Sequence, residues 1–321
     1  MKVLILGGHG FIGSHISNIL KTQGHTVGIV DCYHRYYTFP KKEYDKVSKI
    51  RIAHSNADYL YNGQIEDVPF MENTFKSFQP DVVIHVATYP NAYMVKRNVI
   101  NATSNMISAT AIVLDLCVEF DVKKIVFASS SMVYGDFKED APSEDAETNP
   151  LTLYGSYKLQ GEKMCKIWHR EKGLDYVIMR PSALYGTRDM ITRVISKMTE
   201  SACLNNIIKV YGPNNKLDFS WVEDVANAFT TVVTSDIKNE VFNCTRGYGR
   251  RIIDAAEMIQ SHFGAKIQLH PHDSFYPNRD TLNSDKLKNM TDWKPKVDIE
   301  VGIPKYLKYF EEIYDSTILP R

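Results

Sequence analysis

The stretch Met1–His15, MKVLILGGHGFIGSH, decides how the rest of the chain is read. Its apolar run Val3–Leu6 has the composition of a short strand and passes directly into glycines at positions 7, 10 and 13, with a helical pattern from Phe11. Glycine loses more backbone freedom on folding than any other residue, so such a cluster needs a reason. A strand turning into a helix supplies one: Gly7 permits the tight turn, Gly10 lets backbone approach a pyrophosphate, and Gly13 lets the helix pack on the sheet. The helix N-terminus then offers unpaired N–H groups and partial positive charge to the anion. About twenty residues on, Asp31 ends the second strand pattern, where a carboxylate accepts hydrogen bonds from an adenosine ribose. That favours NAD over NADP, because a 2′-phosphate would meet a like charge; Arg35 is the neighbour that works the other way.

Beyond this stretch, short β-branched runs alternate with helical patterns. Lys2–Leu6, Thr26–Val30, Val82–Val86, Lys124–Ala128 and Asp175–Met179 read as strands, and Phe11–Gln23, Phe70–Phe78 and Asn98–Phe120 as helices. The alternation predicts an α/β fold, a doubly wound parallel sheet with right-handed crossovers. After about Arg180 the rhythm breaks into shorter pieces: helices near 187–201, 222–234 and 251–263, and a strand near 207–210. We therefore expect a dinucleotide-binding domain over 1–180 and a smaller mixed α/β substrate lobe over 181–321, interleaved with the first. Residues 31–58 read as surface loop with one helix at most.

Composition sets the limits. The 38 Lys and Arg residues equal the 38 Asp and Glu, so no global field favours nucleic acid or an anionic membrane. Cys32, Cys117, Cys165, Cys203 and Cys244 are scattered and odd in number, which suits buried thiols in a reducing compartment rather than disulfides or a metal site. The first apolar run is too short for a signal peptide and no later one approaches eighteen residues, so a cytoplasmic protein is expected.

The chemistry lies downstream. FASSSMVYG (127–135) ends a strand, and LYGSYKLQGEKM (153–164) opens a helix. Tyr154 and Lys158, four apart, project from one helix face. An ammonium beside a phenol favours the phenolate, so Tyr154 can take a proton from a substrate hydroxyl while hydride leaves the same carbon. Ser130, at the carboxyl end of its strand, can hold that hydroxyl in line.

Together these motifs resemble the extended short-chain dehydrogenase/reductase family, in particular its NAD-dependent nucleotide-sugar epimerases and dehydratases. The similarity runs in order through GGHGFIG, Asp31, GQIED (63–67), VVIHVA (82–87), Asn101, SSSMVYG, Tyr154 and Lys158, MRPSALYG (179–186), KLDFSWVEDVANAF (216–229) and DWKP (292–295). It implies Ser130, Tyr154 and Lys158 as the catalytic set, Lys158 also touching the nicotinamide ribose. Around NAD it implies Gly7, Gly10, Phe11, Ile12, Gly13, Asp31, Gln64, Ile65, Ala87 and Asn101, with Pro181 beside the nicotinamide. Gln64 stands where the family commonly has aspartate facing adenine, and an amide can also make that contact.

Dehydratases of this family carry an Asp-Glu pair after the catalytic hydroxyl residue, decarboxylases a glutamate, and 3,5-epimerases a cysteine at the second position. This chain has Ser131 and Met132, and neither removes a proton α to a ketone. What is left is oxidation of a sugar hydroxyl, most often at C4, and return of hydride to the opposite face, with NAD regenerated. The usual diphosphate donors are replaced by Ala183 and Leu217, so Arg188 and Arg279 are the expected substrate anchors. TYPNAYMVKRN (88–98) is expected to line the sugar pocket.

Three rivals frame this reading. A binding-only relative would have no use for Tyr154 and Lys158. An NAD(P)-dependent reductase of a nucleotide-linked or non-sugar ketone would use the same residues but consume cofactor, and a dehydratase would need further acids. A homodimer is expected through 98–120 and 153–171, with Ile107, Ala111, Leu114, Val118, Leu159, Met164 and Ile167 on the apolar faces.

Overall fold

The computed structural model describes residues 1–34, 41–189 and 193–313, the side chains of 41–44 excepted; Arg35 lies outside the described residues. Val3–Leu6 carry no solvent exposure, because β1 (Lys2–Leu6) is an interior strand of a sheet covered on both faces. A continuous apolar run, rather than an alternating one, is what such a position selects. β1 pairs in parallel with β2 (Thr26–Asp31), which pairs with β3 (Tyr59–Asn62). On its other side follow β4 (Val82–His85), β5 (Lys124–Ala128) and β6 (Tyr176–Arg180). The strand order therefore reverses between β1 and β4, and the crevice at their carboxyl ends is where open α/β sheets bind ligands.

Helix α1 (Phe11–Thr22) covers one face of the sheet through Ile16 and Leu20. α2 (Lys41–Ser55) lies beside α1 and is the one helix allowed for in the 31–58 stretch. On the opposite face lies α3 (Val68–Phe78), capped by Asp67. A short α4 (Ala92–Arg97) precedes the run expected as one helix from Asn98, which is helical from Val99 onward as α5 (Val99–Thr103), a π turn at Ser104–Ser108 and α6 (Ala109–Glu119). Asn91 caps α4 by accepting from the Met94 N–H, and Asn98 leaves the helical region at φ −135°. Residues 99–119 are long and apolar enough by composition to cross a membrane, but Val113, Leu114 and Cys117 pack under the sheet with Met164 and Cys165 of α7 (Leu153–Lys172).

The smaller lobe has its own core. β7 (Ala183–Tyr185), β8 (Ile207–Tyr211), β9 (Lys216–Leu217) and β10 (Phe219–Trp221) alternate with α8 (Val194–Asn205), and Tyr185, Ile195, Phe219 and Trp221 are buried together. α9 (Val222–Thr234) then returns to the main sheet beside α1, and β11 (Glu240–Asn243) adds its seventh strand against β6. β12 (Arg250–Arg251), α10 (Ile252–Phe263) and β13 (Lys266–His270) go back to the lobe, β13 pairing with β8. α11 (Asp285–Met290) sits by β11, and α12 (Ile299–Ile313) closes the lobe with Ile303, Leu307 and Phe310. The doubly wound parallel sheet with a smaller mixed lobe is as expected.

All five cysteines are free thiols, three of them buried. Among the described residues no group of His, Cys, Asp and Glu is arranged to hold a metal ion.

Candidate active site

The glycine turn sits at the reversal point. Gly7 has φ +81°, and a Cβ there would stand 2.7 Å from the Ala87 Cα at the end of β4. Only glycine meets both conditions, so β1 and β4 come together at this position. A Cβ at Gly13 would lie 2.4 Å from the Gly7 oxygen, and one at Gly10 would meet that oxygen at 3.0 Å. Gly10 is the N-cap of α1 and supplies no side-chain cap, so the helix start is open to an anion. Phe11 is buried and Ile12 partly so.

Asp31 ends β2 beside this turn: one carboxylate oxygen accepts the His9 N–H at 3.0 Å and the other the Tyr33 N–H at 2.9 Å. His9 itself was not singled out by the motif. Its ring is buried, stacks on Tyr33 and, among the described residues, has no hydrogen-bond partner for either nitrogen. Ile65 is buried after β3, with Gln64 exposed next to it. Asn101 is exposed on α5 and hydrogen-bonds the buried Tyr89. Glycine cradle, open helix terminus and a carboxylate at the end of the neighbouring strand fit a dinucleotide.

At the carboxyl end of β5 the chain passes through Ser129, Ser130 and Ser131. Gly155, in the first turn of α7, allows a close approach here, since a Cβ would lie 2.4 Å from the Met132 oxygen. Thr152 caps that turn by accepting the Gly155 N–H. This brings Tyr154 to Ser130, and the two hydroxyls share a hydrogen bond. Lys158, 3% exposed, is one turn further on.

The expected electrostatics need correction. Burial raises the Tyr154 pKa, and the groups opposing that rise are Arg193, the Ser130 hydrogen bond and Arg279. Lys158 instead donates to the Ala128 oxygen at 2.7 Å, with Nζ 5.9 Å from the Tyr154 ring centroid. Desolvation lowers its pKa to about 7, and the Glu162 carboxylate opposes that fall. Lys158 is thus poised to hold or release a proton near neutral pH.

Behind Lys158 lies a closed polar network. Glu162 and Arg180 form a bidentate pair at 2.9 and 2.7 Å, their side chains 1% and 3% exposed. Ser129 donates to the same carboxylate at 2.5 Å, and Arg180 also donates to Tyr134.

In front of Tyr154 opens a cavity of about 980 Å³ between sheet and lobe. Pro181 lines it, as do Pro90, Asn91 and Ala92 from the 88–98 segment. Arg279 lines it too, donating to Ser131 Oγ at 3.1 Å; burial lowers its pKa to about 10. Arg193, a residue the sequence reading missed, stands over the Phe11 ring and pairs with Asp189 at 2.9 Å. Its only signal was a cation within the expected 187–201 helix.

Arg188 is not among the cavity residues. Its backbone takes φ +68°, and the guanidinium turns beneath α1 and α2, Nη2 donating to His54 Nε2 at 3.0 Å. His15 closes the cluster, its Nε2 on the Thr187 oxygen at 3.1 Å, and Arg51 donates to the Arg188 oxygen. The expected substrate role of Arg188 is therefore replaced by a packing role.

Residues 3–245 match the pattern of the NAD dependent epimerase/dehydratase family. The chain belongs to that family. NAD is accordingly its cofactor, and the resemblance to extended short-chain dehydrogenases holds. A putative UDP-glucose 4-epimerase of Methanocaldococcus jannaschii is 29% identical over 96% of this chain and 98% of its own length. A dTDP-D-glucose 4,6-dehydratase of Dictyostelium discoideum is 25% identical over 80% of this chain and 61% of its own. The UDP-glucose 4-epimerase of Thermotoga maritima, solved with UDP-glucose, is 26% identical and superposes with a TM-score of 0.86, covering 98% of this chain and all of that one. Members of the epimerase/dehydratase family that resemble this chain thus carry different activities.

Proposed function

We propose that the protein is an NAD-dependent nucleotide-sugar epimerase that inverts one sugar hydroxyl, at C4. The observation that carries this reading is the lining of the cavity. Among the described residues its only carboxylate is Asp273, at the solvent-exposed mouth. Ser131 and Met132 follow Ser130, so among the described residues no carboxylate stands beside Tyr154 to remove a proton from carbon or expel water. NAD, when bound, supplies the acceptor and donor of hydride. Tyr154 takes the hydroxyl proton and later returns it, Ser130 fixes the hydroxyl through its hydrogen bond to Tyr154, and Lys158 with Ala128 orients the nicotinamide ribose. Gly7, Gly10, Phe11, Ile12, Gly13, Asp31, Gln64, Ile65, Ala87, Asn101 and Pro181 surround the cofactor, and the lobe from residue 181 on carries most of the substrate wall.

UDP, dTDP, GDP and CDP sugars incubated with the NAD-loaded protein and resolved by NMR test this. An inverted sugar without accumulation of NADH is expected. Stoichiometric loss of NADH or NADPH would make it a reductase, and a 4-keto-6-deoxy product a dehydratase. We also propose a homodimer. Leu114 and Met164 are spent on the sheet, but Ile100 at 85% exposure, Leu151, Leu153 and Ile167 form the apolar surface around α5 and α7. A monomer by light scattering would remove this interface.

A further inference from the structure

Arg279 is a cation without a counter-ion. Among the described residues no carboxylate pairs with it, its one protein hydrogen bond goes to Ser131 Oγ, and its buried Nε has no partner. Arg279 is half-buried at the cavity wall, so a ligand that fills the cavity takes the guanidinium out of water, which is costly unless that ligand supplies an anion. Its neighbours say where that charge must be. Ser131 follows Ser130 directly, and Arg279 is close enough to Tyr154 for its charge to act on the phenol. Arg279 therefore faces the reacting end of the cavity.

The diphosphate has other cations. Lys197, Lys209 and Lys216 are exposed at the mouth of the cavity beside Tyr211. A nucleotide sugar placed with its reacting carbon at Tyr154 extends its diphosphate outward towards these lysines. A neutral sugar would leave Arg279 facing hydroxyl groups alone. A carboxylate on the sugar would satisfy it with charge-assisted hydrogen bonds, Ser131 holding one arm of the fork in place.

We propose that the sugar turned over here is acidic, with a carboxylate on the carbon adjoining the ring position next to the oxidised one, held by Arg279 and Ser131. This rests on the nucleotide-sugar reading above and adds the substrate class. It also corrects the expectation that Arg279 anchors the diphosphate.

Calorimetry on the NAD-loaded protein first ranks UDP, dTDP, GDP and CDP. The glucose and glucuronate conjugates of the best-bound nucleotide are then compared. The acidic conjugate should bind at least about tenfold tighter than the neutral one. Arg279→Met should weaken the acidic conjugate about ten- to hundredfold and leave the nucleoside diphosphate and neutral conjugate within about twofold. Arg279→Lys should recover part of the loss, and Ser131→Ala should narrow the preference should Arg279→Met fail to fold. Equal binding of the two conjugates by the parent would overturn the proposal while leaving the nucleotide-sugar reading in place. So would an equal loss of all three ligands in Arg279→Met, which would return Arg279 to the diphosphate. If none of the four nucleotides binds, both readings fall.

Discussion

Arg180 and Arg279 flank the same three serines and are treated in opposite ways. Arg180 meets Glu162 bidentately, Glu162 accepts from Ser129, and the fork's remaining arm goes to Tyr134, so the charge is closed within the protein. Arg279 reaches Ser131 from the cavity side and meets no carboxylate among the described residues. A paired arginine stabilises the scaffold, here by tying β6 to α7 behind Lys158. An unpaired one is available to a ligand. Between them Ser130 stays free to serve Tyr154.

Removing each charge should separate the two most sharply. Arg180→Met strands the buried Glu162 carboxylate and should cost about 3–5 kcal/mol in urea unfolding. Arg279→Met strands nothing and should unfold no more easily than the parent, or less so. Comparable losses in the two variants would break the comparison.

The middle serine is tested through its partner. Tyr154→Phe should lower kcat by about a hundredfold or more, with unfolding and NAD binding close to those of the parent. A near-normal rate would mean that another group moves the proton.

A third arginine sharpens the contrast, because Arg188 is held by imidazoles. Burial and Arg188 lower His15 to about 3 and His54 to about 4. Arg51 also faces His15, and Glu223 stands 3.9 Å from both His15 and Arg188. The unfolded chain, with histidines near 6.5, binds these protons first as pH falls. Stability is therefore complete above about pH 6.5 and is lost progressively towards pH 4 and below. The buried His15 should account for about 2 kcal/mol by pH 5. His15→Phe should flatten thermal unfolding midpoints between pH 7 and pH 5; an unchanged slope would mean that the acid loss lies elsewhere.

The smallest effect concerns Asp31, whose carboxylate is tied to the His9 and Tyr33 N–H groups. Asp31→Asn keeps an acceptor and removes the charge, so it should shift the NAD over NADP preference by roughly tenfold, read by calorimetry. A parent that already prefers NADP would overturn the ribose assignment.

The glycine turn, Asp31 and the Tyr154–Lys158 spacing were legible because each is a local matter. A strand-to-helix turn, a helix terminus and an i,i+4 pair are built from residues close in sequence, so their geometry follows from covalent structure and helical periodicity. The short strands β3 and β11 escaped notice because four-residue edge segments carry little periodicity. α12 carries Pro304 within its pattern, and the π turn at Ser104–Ser108 left no mark in apolar spacing.

By itself the sequence determined the doubly wound sheet, the cofactor, and the meeting of a serine, a tyrosine and a lysine at the sheet's edge. Which charges face which was a matter for tertiary structure alone. Arg188 and Arg193 are five positions apart by number, yet one turns beneath α1 and the other towards Tyr154. Lys158 bonds to Ala128 rather than acting on Tyr154, and Arg279 arrives from a distant segment to stand beside Ser131. Charge interactions in a buried site depend on distances and desolvation that only the folded chain creates, and neither is written in the spacing of residues along it.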